Sequence, residues 1–600
     1  MDTKISELTL PGKLLARSIQ YPDRIALREK KKGIWEETTW TEYREWVESM
    51  ALAFRELGIK ENDHLSILSD NCREWVIGDL ATQTLGARSV GIYPTNPPED
   101  VAYILKHSQS KVVICEDQEQ VDKVIEVRGE TPTVEHVIVI DPKGMRNLND
   151  DRLKTWESIE RVGKELFKKE SDFLKKRVSF LDPEGCCMVI YTSGTTGQPK
   201  GAMLSGRNVT VAADGVFEEV EMGPQDTLLS YLPLCHVAEK IFSLFIPLTT
   251  GSIVHFGESI NTIQEDLREV SPTIFLGVPR IWEKMHATAT LKMKDSSWLK
   301  KTLFQWAIQS GLKRTRKKDQ DFKDRLGQFI YDLLIYRPLQ ERLGLRNVRF
   351  PISGAAPIGE ELLEWFSAVG ISISEGFGMT ECSGISHVNR PWDIHIGDVG
   401  LPVGDLHCKT AEDGEILIKA PQVFLGYYND PEKTAEAIDK DGWLHTGDIG
   451  SVDPNGRLKI TGRKKEIIIT AGGKNLSPEK IENVLKLSPY IKEVVAIGDR
   501  RKYIGALVQI DRDAVGDWAT RRKIPYTDFP DLSSKKEVQD LIQSEIHKAN
   551  NNLAQVENVR AFRLFPKELH QDDGELTATQ KVRRKAIVEI WRDLIEELYP

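Results

Sequence analysis

Residues 191–201 read Tyr-Thr-Ser-Gly-Thr-Thr-Gly-Gln-Pro-Lys-Gly and grow out of the apolar run CCMVIY (186–191). An apolar run that feeds a loop of glycines and hydroxyls has the layout of an anion-binding loop at the end of a strand. Gly194, Gly197 and Gly201 let the backbone turn tightly and bring N–H groups close to an anion. Thr192, Ser193, Thr195 and Thr196 supply hydroxyls, and Lys200 supplies a mobile positive charge suited to a polyphosphate. The pattern is not G-x-x-x-x-G-K-[ST], because the lysine follows Gln-Pro and precedes a glycine. The same composition also fits a polar turn between two strands.

Outward from this loop the chain reads as α/β. HLSILS (64–69), RSVGIYP (88–94), KVVICED (111–117) and EHVIVID (135–141) are short β runs separated by helical stretches, the spacing of βαβ units on a parallel sheet. DTLLSYLPL (226–234) and TIFLGVP (273–279) repeat the theme around the apolar segment 241–256. After GRKKE (462–466) the character changes. EVVAIGD (493–499) and YIGALVQID (503–511) read as a hairpin, and 535–553 and 581–598 as helices. The expected organisation is a large domain over 1–464, with parallel βαβ units and a β-rich subdomain, and a small, mobile α+β domain over 465–600.

Composition narrows the class. Six hundred residues exceed one hydrophobic core. A net charge of −10 argues against a general nucleic-acid binder. The seven cysteines form no C-x-x-C pair, so a reducing, cytoplasmic setting fits better than a disulfide framework or structural zinc. The stretch without Lys, Arg, Asp or Glu at 241–257 holds Pro247, Gly251 and His255, so a buried core segment is expected there and not a membrane span. Residues 284–324 are strongly basic, with Trp298, Leu299, Leu303, Phe304 and Trp306 interleaved. That pattern fits a helix covering the core, or one lying on the inner face of an anionic membrane.

Four further segments carry chemistry-bearing residues: SGAAP (353–357), EGFGMTEC (375–382), DGWLHTGDIG (441–450) running on through GRLKITGRKKE (456–466), and LTATQKVRRK (576–585). Taken alone, the second could be a turn capped by Thr380, PNG (454–456) a hairpin turn, and Lys581 part of a solvated basic face. Together with the glycine loop, in this order, they resemble the adenylate-forming acyl ligases, and most closely the long-chain fatty acyl-CoA synthetases. The resemblance spans essentially the whole chain. Val452, Thr461, Gly462 and Ile469 depart from the family's usual residues, as does Phe377, where tyrosine is commoner.

The resemblance implies ATP, Mg²⁺ and CoA as co-reactants of a fatty acid, with an acyl-adenylate between two half-reactions. The alternatives are a fatty acyl-AMP ligase delivering to a carrier protein, and a catalytically silent lipid-binding or transport partner on the same scaffold. It places ATP against Thr192, Ser193, Gly194, Thr195, Thr196, Gly197, Lys200, Gly354, Ala355, Ala356, Glu375, Gly376, Phe377, Gly378, Met379, Thr380, Asp448, Ile460, Arg463 and Lys581. Within that set Phe377 stacks on adenine, Thr380 meets the α-phosphate, and Asp448 and Arg463 serve the ribose. Lys581, Glu381, Thr192 and His236 are the catalytic candidates, with Mg²⁺ on Glu381 and Thr192. His236 is either near the acyl carboxylate or a core histidine satisfied by a backbone carbonyl. Lys465 takes the position of an inter-domain hinge, and Gly472, Gly473 and Lys474 that of a pantetheine channel. The apolar side chains from Tyr231 to Phe256 suit one wall of an acyl tunnel, or equally a core segment. Membrane-surface attachment and self-association stay open at this stage.

Overall fold

The computed structural model describes residues 7–599 except 147, 149, 193–197, 260–261, 317–321 and 578–579. Ser193, Gly194, Thr195, Thr196 and Gly197 of the glycine loop therefore lie outside the described residues.

Among the described residues the larger part of the chain is built on two big sheets. In the eight-stranded one, His64–Leu68 lies between Arg88–Ile92 and Val112–Cys115, all parallel, and its five residues are buried. A parallel strand covered by helices on both faces needs no polar alternation, which explains the unbroken apolar runs in the sequence. Cys186–Thr192 extends this sheet, parallel to Arg88–Ile92 and antiparallel to Lys200–Ser205. Thr192 and Lys200 are cross-strand partners, so the segment between them joins two antiparallel strands, as the turn reading of the sequence expects.

The nine-stranded sheet has Ile274–Gly277, Phe350–Ser353 and Ser374–Phe377 side by side and parallel, with Ser353 opposite Glu375. The segments SGAAP and GFGMTE thus leave the same carboxyl edge, where open α/β sheets hold ligands. A four-stranded antiparallel sheet follows, ending in the hairpin Leu444–Val452 and Leu458–Arg463.

The hydrophobic clusters divide between Leu458 and Ile468. Beyond that point Ile491–Ile497 and Ile504–Ile510 form the expected hairpin, joined in parallel by Val559–Leu564. The helical reading of 581–598 needs correction. The first helix begins only at Arg584 and breaks at Trp591. Gln580 takes φ +61°, and Leu576 bridges Val582 across a turn, so the residues around Lys581 form a tight loop instead.

Candidate active site

The hairpin register explains one pairing that spacing alone does not give. Asp448 and Arg463 sit opposite each other on neighbouring strands, with Arg463 Nε 3.2 Å from Asp448 Oδ1. Asp448 is buried, and burial pushes its carboxyl above the ordinary value while Arg463 pulls it down. Ile460, on the same strand, packs against the large core.

Phe377 ends its strand, its carbonyl accepting from Ser386 N (2.8 Å) and Ser386 Oγ (3.0 Å). Gly378 is required by space, since a Cβ there would stand 2.2 Å from Gly384 O. Glu375, on the same strand as Gly376, has its carboxyl raised to about 8 by burial. Gly354, Ala355 and Ala356 follow the neighbouring strand. Ala355 holds φ +67°, a left-handed conformation that costs an alanine about 1–2 kcal/mol.

Met379 is half-buried, and Thr380 and Glu381 are buried in a short 3₁₀ turn, Thr380–Cys382. Glu381 Oε1 accepts from the hydroxyl of Tyr427 (2.6 Å), and Lys200 Nζ lies 4.8 Å from the centroid of the same ring. Tyr427 therefore links the lysine of the glycine loop to the acidic residue. Reading the sequence did not single it out, because an aromatic pair in GYYND carries no periodic or motif signal.

Lys581 arrives from the other end of the chain. Thr577 accepts the Lys581 N–H through Oγ1 (3.1 Å) and donates its own N–H to Lys581 O (2.8 Å), which fixes the loop. The Lys581 ammonium donates to Ala355 O at 2.6 Å. As a residue Lys581 is exposed, but its tip is enclosed. Burial of that tip, and then the charge of Arg463, bring its pKa down to about 8, against the opposing pull of Glu479, Asp448 and Glu466. The left-handed alanine is thus the point where the C-terminal lysine meets the large domain.

His236 faces the same space. Its Nδ1 accepts from Ala238 N (3.0 Å), capping the helix Val237–Lys240, so the ring is satisfied by a backbone N–H and not by a carbonyl. Burial, and then the charge of Lys581, hold it down at about 4, so the ring is neutral with its proton on Nε2. Behind it lies Glu239, also not foreseen from sequence. It is buried and accepts from Ser230 Oγ (2.6 Å), Leu232 N (3.1 Å) and Ser243 Oγ, and burial lifts its carboxyl to about 7.

Leu234, Ile241, Phe242, Leu244, Phe245, Ile246 and Leu248 are buried in the large core, across a π-helical turn Ile241–Phe245. This segment adjoins the GFGMTEC stretch, because a Cβ on Gly384 would lie 3.1 Å from Val237 Cγ2 and 3.7 Å from Ile241 Cγ2. The remaining sequence candidates lie apart from this cluster along the chain. Lys465 is exposed in the turn after Arg463. Gly472, Gly473 and Lys474 are exposed in a turn where Thr470 N donates to Lys474 O (3.0 Å).

With these groups gathered, comparison with known proteins defines the class. The chain matches the AMP-binding enzyme family over residues 15–428 and the AMP-binding enzyme C-terminal domain over 465–600. It belongs to the AMP-binding enzyme family. Among its relatives are the long-chain-fatty-acid–CoA ligase FadD15 of Mycobacterium bovis, 34% identical over 96% of this chain and 95% of that one, and the long-chain-fatty-acid–CoA ligase ACSBG2 of Xenopus laevis, 32% identical over 97% and 82%. Its fold matches the adenylation domain of a Mycobacterium chelonae carboxylate reductase (TM-score 0.76, 21% identity, covering 100% of this chain and 93% of that one). It also matches the anthranilate CoA ligase AuaEII in complex with anthranoyl-AMP (TM-score 0.71, 21% identity, 98% of both chains).

Proposed function

We propose that this chain is an ATP-dependent acyl-CoA synthetase that converts a long-chain fatty acid, ATP and CoA into acyl-CoA, AMP and diphosphate through an acyl-adenylate. The observation that carries this reading is the contact of Lys581 with Ala355 O, beside Asp448 and Arg463, in a chain whose full-length relatives are long-chain-fatty-acid–CoA ligases.

A carboxylate attacking a triphosphate must approach like charge. Lys581 would offset that repulsion at the α-phosphate and its leaving group, together with Lys200 and the hydroxyls of Thr192 and Thr380. Asp448 would accept from the ribose hydroxyls, oriented by Arg463, while Phe377 stacks on adenine against Gly354, Ala355 and Ala356. His236 Nε2–H would donate to the acyl carboxylate and hold it in line.

Among the described residues no cluster of three or more His, Cys, Asp or Glu could hold a metal by itself. A Mg²⁺ shared with phosphate oxygens needs only one or two protein carboxylates, so the residues fit it. Glu381 would hold it, aimed by Tyr427 through Oε1, with Thr192 alongside. When bound, the ion neutralises phosphate charge. The second half-reaction needs other groups at the same carbonyl carbon. Residues 465–600 would therefore turn on Lys465, withdrawing Lys581 and bringing Gly472, Gly473 and Lys474 to the pantetheine path.

The test is pyrophosphate release across fatty acids of graded length, with and without CoA. Because each buried methylene contributes about 0.8 kcal/mol, kcat/KM should rise at least about tenfold from an eight-carbon to a sixteen-carbon acid, with acetate inert. Turnover should continue only when CoA is present. A flat profile, or a preference for acetate, defeats the long-chain reading.

A further inference from the structure

The helical hairpin that follows Pro279–Lys294 is apolar on two sides. In Trp298–Arg316 the inner face carries Ala307, fully buried, with Phe304 and Ile308 packed on the core, and the return arm is pinned to it by Tyr336 OH donating to Ala307 O at 2.6 Å. A helix that only covers a core needs one apolar face. Here Trp298, Leu299 and Trp306 point the other way, at 76%, 61% and 58% exposure. On the return arm Phe329, Leu333 and Leu334 stand out at 63%, 52% and 55%. Large side chains so exposed, on two helical arms joined by the Tyr336–Ala307 hydrogen bond, are of the kind that marks an interaction surface.

The charge around the patch selects its partner. From Lys284 to Gln340 the sequence has thirteen Lys and Arg against five Asp, a net +8. The whole chain carries −10, so the remainder carries −10 − 8 = −18. On the helix, Lys301 stands one turn after Trp298, and the exposed Lys313 two turns after Trp306, so cations border the outward apolar stripe as a headgroup boundary requires. Among the described residues no helix is long and apolar enough to cross a membrane, so such a contact would lie on the surface.

We infer that the outward sides of the helix Trp298–Arg316 and of the return arm Phe322–Tyr331 with Asp332–Tyr336 dock on the surface of an anionic lipid bilayer, with the tryptophans and leucines in the headgroup boundary and the lysines against the lipid charge. This does not rest on the active-site reading, because docking needs neither ATP nor acid.

The experiment is flotation of the full chain with phosphatidylcholine vesicles and with mixed phosphatidylcholine/phosphatidylglycerol vesicles, at low and high salt. Binding should require the anionic lipid and weaken with salt. Lys301→Glu with Lys313→Glu should lower the partition at least about tenfold. Trp298→Ser with Trp306→Ser should lower it similarly at either salt concentration, with melting temperature and pyrophosphate release in detergent-free buffer unchanged. Equal binding to neutral and anionic vesicles, no binding, or variants that float like the parent would overturn the inference. So would sedimentation showing that the tryptophan variant dissociates a dimer while vesicle binding persists, since the patch would then meet a second copy of the chain.

Discussion

In the large domain Lys240 is enclosed on every side. Its Nζ lies 2.7 Å from Asp79 Oδ2 and 4.6 Å from the centroid of Trp75, and Gln83 Nε2 donates to Asp79 Oδ1 at 2.8 Å. At the meeting of the two domains the ammonium of Lys581 is enclosed as well, yet the only acceptor its Nζ meets among the described residues is the carbonyl of Ala355, and Arg463 stands nearby. The first ammonium has its counter-charge supplied by the fold. The second has burial without a bonded carboxylate, so its affinity for an anion is left for a substrate. Two lysines of equal chemistry thus divide into a structural ion and a candidate catalytic one by the partner each is given.

The comparison breaks most plainly at Lys240. Lys240→Met leaves Asp79 buried without its counter-ion, which costs about 3–5 kcal/mol. The apparent denaturation midpoint of the large domain should fall accordingly, while the pyrophosphate-release rate per folded molecule at low temperature holds. A midpoint within error of the parent would show that the pair contributes no net stability.

Lys581→Ala should do the reverse. Adenylate formation should drop about 10²–10³-fold, the scale for one preorganised charge donor, with the melting temperature kept. Thioester formation from chemically made acyl-adenylate should survive in large part. Equal loss of both half-reactions would sink the division of roles. The pH profile sharpens the point. A lysine is charged below its pKa, and that of Lys581 lies near 8. In the free enzyme kcat/KM for ATP should therefore fall as pH rises through about 8, not near the ordinary lysine value. Lys581→Arg, charged throughout, should lose that limb even if it is slower.

How much of this was legible in the sequence depends on what each residue's role rests on. The parallel strands were readable because a strand buried on both faces must be apolar at every step, as in His64–Leu68. Asp448 and Arg463 were both marked, but their pairing depends on a hairpin register that spacing does not give. Glu239 and Tyr427 passed unnoticed because a carboxylate or a phenol shows its burial only once the fold has closed round it. The start of the last helix was misplaced because helical composition continues through Lys581 while the backbone turns at Gln580. The basic helix was open between core cover and membrane face. Its apolar side chains turn out to point both ways.

Asp448 tests whether the ribose side is set up like the phosphate side. Asp448→Ala removes a buried acceptor and leaves Arg463 without its cross-strand partner. KM for ATP should rise by a factor equivalent to about 1.5–3 kcal/mol, with kcat changed less. An unchanged KM would mean that the carboxylate serves only the hairpin.

The smallest effect is expected at Tyr427, where the comparison takes its anionic form. Asp79 is a buried carboxylate met by a lysine, whereas Glu381 is one met by a phenol at 2.6 Å, a partner that aims the charge without cancelling it. Tyr427→Phe deletes that hydroxyl but keeps the ring beneath Lys200, so the cation–π contact stays. The loss of one hydrogen bond is worth about 1 kcal/mol, so the Mg²⁺ concentration for half-maximal pyrophosphate release should rise about fivefold. Tyr427→Ala loses the ring too, and should add a rise in KM for ATP through Lys200. If Phe leaves the Mg²⁺ dependence untouched while Ala shifts it, the ring and not the hydroxyl positions Glu381. The phenol would then be a packing group whose oxygen merely finds an acceptor.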